Sequence, residues 1–312
     1  MQPAIEVSDL TKTYAGGVEA VRSISFDVAR GEVFGVLGPN GAGKSTTVGM
    51  LTTTVAPTSG RARLRGFDVA TEPVKARSVS AVVFQESVLD RPLSGRRNLA
   101  LHARLWGLSS TDAQQRVGDV IEAFALGEFV DRPVDTYSGG QRRRLEIARA
   151  LLSEPEVLFL DEPTVGLDTR VRHELLDLIA GLRARSGMTI LLTTHYLDEA
   201  EELCDRVAIL HDGEIAALHS PSALLAAIGR EVLELRIDGD GHSLLRALQR
   251  RGVAPNGMFV VGSTVYVPLN GQTGIEVTEA VADLGFATTA TSTRRPTLDD
   301  VYLQLTGTSL AG

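Results

Sequence analysis

Two periods alternate along this chain of 312 residues: runs that are apolar or alternate every second residue, and stretches with apolar positions three and four apart. Ala4 to Leu10 and Ala20 to Val28 alternate apolar and polar, which predicts half-buried strands of an antiparallel sheet. Val33 to Leu37 is continuously apolar and reads as a buried strand, with room for a helix over Ser45 to Thr54. A turn at Pro57 to Gly60 leads to a short polar strand, Arg61 to Arg65, and Val79 to Phe84 is a further core run. Ser94 to Gly107 (Leu99, Leu101, Leu105 and Trp106, the tryptophan read as core) and Thr111 to Phe124 (Val117, Val120, Ile121, Phe124) are helical in period, an insertion between strands. After an irregular segment broken by Pro133, a helix opens at Ser138 with Leu145, Ala148, Leu151 and Leu152 on its face. Val157 to Leu160 and Thr189 to Leu192 are buried strands. Between them Thr169 can cap a helix marked by Val171, Leu175, Leu178 and Leu182. Val207 to Leu210 and Glu214 to Leu218 form a hairpin through Asp212-Gly213.

From Glu231 the pattern predicts strand (Val232 to Ile237), helix (Ser243 to Arg251), strands (Met258 to Val261, Thr264 to Pro268), helix (Gly274 to Leu284) and strand (Phe286 to Thr291). That order, β-α-β-β-α-β, is that of a small ferredoxin-like unit. Thr297 and Asp300 then stand in capping-box positions before Leu298, Val301, Tyr302 and Leu305, an apolar stripe. A helix of about ten residues is not stable alone in water, so the stripe must be covered, by its own unit, by the main body or by a partner.

Composition changes this picture little. The length allows one large domain or two smaller ones, and the net charge of −8 argues against a nucleic-acid surface. Cys204 is the sole cysteine, so no disulfide can form within the chain, as suits a reducing compartment. No apolar run approaches bilayer length and the first residues lack a basic-then-apolar signal.

The chemistry concentrates in loops after buried strands. Gly38-Pro39-Asn40-Gly41-Ala42-Gly43-Lys44-Ser45-Thr46 fits G-x-x-x-x-G-K-[ST] between strand and helix, the phosphate-binding P-loop. Its glycines let successive N–H groups face phosphate oxygens, Lys44 reaches the β- and γ-phosphates, and Ser45 can ligate Mg²⁺. Asp161-Glu162 follows a buried strand, with Asp161 placed to hold Mg²⁺ and Glu162 to polarise a water. Gln85 and His195 also end core strands, where open α/β sheets bind ligands. Ser138-Gly139-Gly140 opens a helix, an anion site by the same physics as the P-loop. Tyr14 could stack on a base or simply pack, and the run Arg142 to Arg144 could be a solvated face or a phosphate clamp. Of the six histidines, no pair has metal-site spacing.

In this order the motifs resemble the ATPase subunit of an ABC transporter, over about the first 220 residues. Tyr14 falls at the adenine-stacking aromatic, Gly38 to Thr46 at Walker A, Gln85 at the Q-loop and Tyr137 to Gln141 at the signature. Val157 to Glu162 falls at Walker B, Val165 to Asp168 at the D-loop and His195 at the switch histidine. The resemblance implies a P-loop α/β cassette with a mixed-sheet core, an antiparallel β subdomain and a helical subdomain (about 87–150), spanning 1–229. Residues 230–312 would be a C-terminal accessory domain. It implies ATP and Mg²⁺ as cofactors, with Lys44, Ser45, Gln85, Asp161, Glu162 and His195 acting in cis, and Ser45, Gln85 and Asp161 at the metal. Ser138, Gly139, Gly140 and Gln141 would serve the ATP of a second copy in a head-to-tail homodimer. Peripheral attachment to the cytoplasmic face of the membrane follows, through a separate permease.

Glu86 to Leu99 and Leu298 to Gly307 resemble the daunorubicin-resistance type of drug exporter ATPase, although Gln141 stands where that group often has methionine. Export of a hydrophobic compound is the leading expectation; lipid or glycan export and nutrient import are alternatives. A soluble ABC ATPase of nucleic acid or ribosome is disfavoured by the single cassette and the absence of a heptad run. Glu86 to Asn98 should meet the membrane subunit through Leu89 and Leu93, and the tail should hold the two ATPase copies together or regulate their closure.

Overall fold

The uninterrupted apolar runs form the middle of the molecule. The protein is described by a computed structural model covering residues 2–253, 257–269 and 271–307. Its first part runs β1 (Ile5–Thr13), β2 (Glu19–Val28), β3 (Val33–Leu37), α1 (Lys44–Leu51), β4 (Ser59–Leu64), β5 (Phe67–Asp68), α2 (Pro73–Ser78) and β6 (Ser80–Val83). Then come α3 (Gly95–Leu105), α4 (Ser110–Ala123), α5 (Gly139–Leu151), β7 (Val157–Asp161), α6 (Thr169–Ser186), β8 (Thr189–Thr194), α7 (Leu197–Leu203), β9 (Arg206–His211), β10 (Glu214–His219) and α8 (Pro221–Ile228). The last part is β11 (Val232–Ile237), α9 (Gly241–Arg251), β12 (Phe259–Val261), β13 (Thr264–Pro268), α10 (Gly274–Asp283), β14 (Thr288–Arg294) and α11 (Leu298–Thr306).

The central sheet has the order β10-β9-β3-β8-β7-β6. Strands β9, β3, β8, β7 and β6 are parallel and β10 returns antiparallel. Every residue of β3, β7 and β8 is buried, as expected of parallel strands covered on both faces. An antiparallel sheet β2-β1-β4-β5 carries the alternating strands. A third sheet, β12-β13-β11-β14, is antiparallel throughout and encloses its own apolar cluster, from Leu233 to Val281.

Local chemistry moved several boundaries. Helix α1 stops at Leu51, not Thr54, because Thr53 turns left-handed at φ 63 and the N–H groups of Thr54 and Val55 return to the Gly49 carbonyl at 2.9 Å. Asp168, not Thr169, caps α6, its carboxylate accepting from the Val171 N–H at 3.0 Å; the charge also suits a helix N-terminus. Strand β14 starts at Thr288 rather than Phe286, whose N–H still bonds to Val281 at the end of α10.

The last helix resolves where the apolar stripe goes. Leu298, Val301 and Tyr302 are buried in one cluster with Leu197, Ala200 and Leu203 of α7 and Leu224 and Ile228 of α8, and Leu305 is exposed. The Tyr302 hydroxyl and His211 Nδ1 are hydrogen-bonded at 2.8 Å, and Glu201 accepts from the Leu298 N–H at 2.7 Å. Arg294 grips the buried Asp300 at 2.6 and 2.7 Å and Glu234 at 2.6 Å. The stripe is thus covered by the main body of the same chain, one of the three covers that the sequence allows. Tyr302→Asp is expected to place an unpaired charge in this cluster, costing about 3–5 kcal/mol. A urea midpoint equal to that of the parent would refute this docking.

Candidate functional site

Parallel strands point their carboxyl ends the same way, so the loops after β3, β6, β7 and β8 converge on one edge. The loop after β3 folds as a phosphate cradle. Gly38 has φ 152, and a Cβ there would stand 2.4 Å from the Leu210 carbonyl oxygen; Gly43 has φ 104, with the Ala20 carbonyl oxygen at 2.5 Å. No other residue type fits either position. Lys44, 4% exposed, donates to the Gly38 and Pro39 carbonyls at 2.7 and 3.1 Å and lies 3.1 Å from Glu162 Oε1.

The two carboxylates at the end of β7 have different partners. Asp161 Oδ1 accepts from Thr193 Oγ1 at 2.6 Å and from Ser45 Oγ at 3.3 Å. Glu162 adopts the left-handed φ of 45, a strained conformation for a side-chain-bearing residue, held by its N–H donating to Thr193 Oγ1 at 2.9 Å. The turn brings its carboxylate 3.4 Å from His195 Nδ1, a buried nitrogen with no hydrogen bond among the described residues.

Tyr14, Pro39, Asn40, Gly41, Gly43, Lys44, Ser45, Thr46, Gln85 and Glu162 line one cavity of about 370 Å³. Tyr14 is 41% exposed, its hydroxyl 3.4 Å from Thr46 Oγ1 and Lys12 Nζ 5.0 Å from its ring centroid, so the ring is offered to solvent rather than packed. Curled N–H groups, a buried ammonium and an orphaned imidazole nitrogen fit a triphosphate. The nearby oxygens of Ser45, Asp161 and Gln85 are hard donors of the type Mg²⁺ takes alongside phosphate and water.

The structure does not bring Ser138 into this cavity. Ser138 caps α5 in a reciprocal box with Gln141, at 3.2 and 3.1 Å, and lines a separate cavity of about 590 Å³ with Gly140, Gln141 and Arg144. A Cβ on Gly140 would meet Val171 Cγ1 at 2.3 Å, so this helix start is seated against α6.

Arg143 and Thr193 are the residues that sequence reasoning missed. Arg143 is buried, and its five N–H groups reach Pro163 (2.8 Å), Phe84 (2.6 Å), Asp161 (3.0 Å) and Glu162 (3.2 Å) carbonyls and Glu146 Oε2 (2.9 Å). It fastens α5 to the ends of β6 and β7, whereas Arg144 pairs with Glu174 at 2.7 Å and Arg142 donates to the Tyr137 carbonyl. The available signal was spacing: Arg143 falls three after Gly140 and seven before Ala150, on the buried face of α5.

Two further expectations are corrected. Trp106 is 39% exposed rather than core, with Leu101 and Leu105 also exposed, whereas Leu89 is buried. Trp106, Val88 and Phe84 line a groove of about 380 Å³ with His102 and Arg149. Trp106 Nε1 donates to His102 Nε2 at 2.9 Å, and burial, with the Arg149 charge, pushes the His102 pKa down to about 4. Cys204 is buried, and burial raises its thiol far above the ordinary range, so it is inert.

Comparison with known proteins agrees with this geometry. The ABC transporter family profile matches residues 21–165. The daunorubicin/doxorubicin resistance ATP-binding protein DrrA of Streptomyces peucetius is 45% identical over 234 residues, covering 75% of this chain and 70% of its own. The doxorubicin resistance ATP-binding protein DrrA of Mycobacterium tuberculosis is 38% identical over 313 residues, covering 97% and 93%. Among solved structures, cbiO1 of Clostridium perfringens, part of the ABC transporter complex cbiONQ, superposes with a TM-score of 0.68 at 27% identity, over 80% of this chain and 96% of that one.

Proposed function

The chain belongs to the ABC transporter family as an ATP-binding, ATP-hydrolysing subunit, and on that premise we propose that it drives export of a hydrophobic drug or antibiotic as a head-to-tail homodimer. The observation that carries the dimer is the separation of the cavity holding Lys44 and Glu162 from the one holding Ser138 and Gly140. A second copy, turned head to tail, closes each nucleotide between the two. Residues 1–229 form the ATPase domain in this reading, with a helical subdomain at about 87–150, and 230–312 the accessory domain, whose last helix α11 packs back on α7 and α8 of the first.

Tyr14 stacks on the adenine, and Gly38 to Thr46 wrap the phosphates. Lys44 leaves Glu162 for the β- and γ-phosphates, freeing the carboxylate to take a proton from the attacking water. Ser45, Asp161 and Gln85 hold Mg²⁺, which shields the phosphate charge when bound. His195 faces the γ-phosphate from β8, and Ser138, Gly139, Gly140 and Gln141 face the partner's nucleotide.

The partner in this reading is a separate membrane permease, as membership of the ABC transporter family suggests; no described helix is long and apolar enough to cross a membrane. It docks on the groove at Val88 and Trp106, whose apolar side chains are exposed and which Phe84, the residue before Gln85, also lines. Attachment is peripheral, on the cytoplasmic face, and the acidic balance leaves nucleic acid aside. Drug export is favoured by the names of the relatives at 45% and 38% identity.

Proteoliposomes holding this protein and its permease are expected to move an anthracycline only with ATP. Lys44→Ala should abolish transport and weaken ATP binding about tenfold to a hundredfold, the loss of a charge-assisted contact of about 1.5–3 kcal/mol. ATP turnover without anthracycline movement would remove the drug reading and leave the ATPase standing.

A further inference from the structure

Behind His195 lies a buried carboxylate outside the lining of the nucleotide cavity. Glu199, in the first turn of α7, is 1% exposed. Its Oε2 accepts from Thr194 Oγ1 at 2.8 Å, and its Oε1 accepts from Thr164 Oγ1 and lies 2.7 Å from Arg172 Nε. Thr194 immediately precedes His195, and the same hydroxyl oxygen accepts from the Tyr196 N–H at 2.9 Å. The backbone on both sides of the histidine is therefore tied to this carboxylate. Thr164 opens the Val165 to Asp168 loop two residues after Glu162. Arg172, on α6, completes the set: its Nη2 meets Asp198 at 2.5 Å and its guanidinium lies 4.3 Å from the centroid of the Tyr196 ring, which in turn lies 4.2 Å from that of His195.

A carboxylate accepts hydrogen bonds, so hydroxyl donors from a loop and a strand converge on it beside the guanidinium charge of a helix. If one leaves, buried polar groups lose their partner, so the three elements move as a unit. Buried ion pairs add little net stability over apolar packing, and the arrangement is better explained by the geometry it fixes.

We propose that Glu199 is a positioning residue for ATP hydrolysis, setting His195 and the Val165 to Asp168 loop in place together so that the histidine meets the γ-phosphate only when that loop is seated. The proposal rests on the role given above to His195. Glu199→Gln keeps the side-chain shape but turns an amide donor toward these donors. In the full-length protein it is expected to lower kcat about tenfold to a hundredfold while ATP affinity and KM stay within about twofold. Thr164→Val should do the same, and Thr164→Ser should restore the parental rate. His195→Ala combined with Glu199→Gln should be no slower than His195→Ala alone, a non-additivity that general weakening of the fold would not produce. A parental kcat in Glu199→Gln beside a slow His195→Ala overturns the proposal alone, as do independent, multiplying effects. A parental kcat in His195→Ala overturns the histidine's role and the proposal with it. Should Glu199→Gln not fold, the Thr164 pair decides: Thr164→Val at the parental rate overturns it.

Discussion

Glu162→Gln is expected to bind ATP with nearly parental affinity and to hydrolyse it about 10²–10⁴-fold more slowly, the usual cost of losing a general base. The neutral amide keeps the length of the side chain and can still bond Lys44, which lies 3.1 Å from Glu162 Oε1. It cannot accept a proton from water. The left-handed backbone at Glu162, fixed by Thr193, aims whatever side chain stands there at the same point, so geometry survives while basicity is lost. Nucleotide binding, single-turnover rates and sedimentation in ATP check this together: the variant should accumulate as an ATP-bound dimer. Hydrolysis at the parental rate would show that another group takes the proton.

The second large effect is expected at Arg143. Arg143→Met fills similar space but strips partners from four backbone carbonyls and leaves Glu146, itself 4% exposed, without its hydrogen-bonded ion pair and with only the Arg149 charge nearby. Breaking a buried pair from one side costs about 3–5 kcal/mol, a large share of the total stability of a domain. The unfolding midpoint should fall by about 10 °C or more, at a few degrees per kcal/mol. Arg143→Lys restores the charge but offers three donors for five acceptors, so it should recover only part of the loss. Whatever Arg143→Met remains folded should bind ATP yet hydrolyse it poorly, because Gln85 and Glu162 lose their common anchor. A midpoint within about 2 °C of the parent would remove Arg143 from this role.

Much of the nucleotide cavity was legible because its signals are local. The glycines of the P-loop answer to backbone conformation within one turn, and Asp161-Glu162 ends a strand whose burial is written in four apolar residues. Arg143 was harder to read: helical spacing puts it on the buried face of α5, but three consecutive arginines look alike in type, and the carbonyls that the middle one holds at the ends of β6 and β7 are remote in sequence. Trp106 was misread for a related reason: a lone tryptophan at helical spacing usually packs, but α3 turns this one toward an open groove. The tail helix was found through its capping box, yet its periodicity says only that one face is covered. That α7 and α8 of the same chain do the covering depends on contacts remote in sequence.

That last contact carries a consequence for how the protein is made. Leu224 and Ile228 of α8 leave the ribosome well before Leu298, Val301 and Tyr302, which cover them. Until the final helix arrives, the cluster beneath α7 stays open to water, and the Tyr302 tie to His211, one residue after the Leu210 carbonyl that abuts Gly38, cannot form. The nascent chain thus holds every nucleotide-binding motif while one wall of its core is still missing, a window in which exposed apolar surface invites aggregation or a chaperone. A premature stop before Leu298 is accordingly a folding lesion, and a message cut short there yields an incomplete core rather than an ATPase merely lacking an appendage.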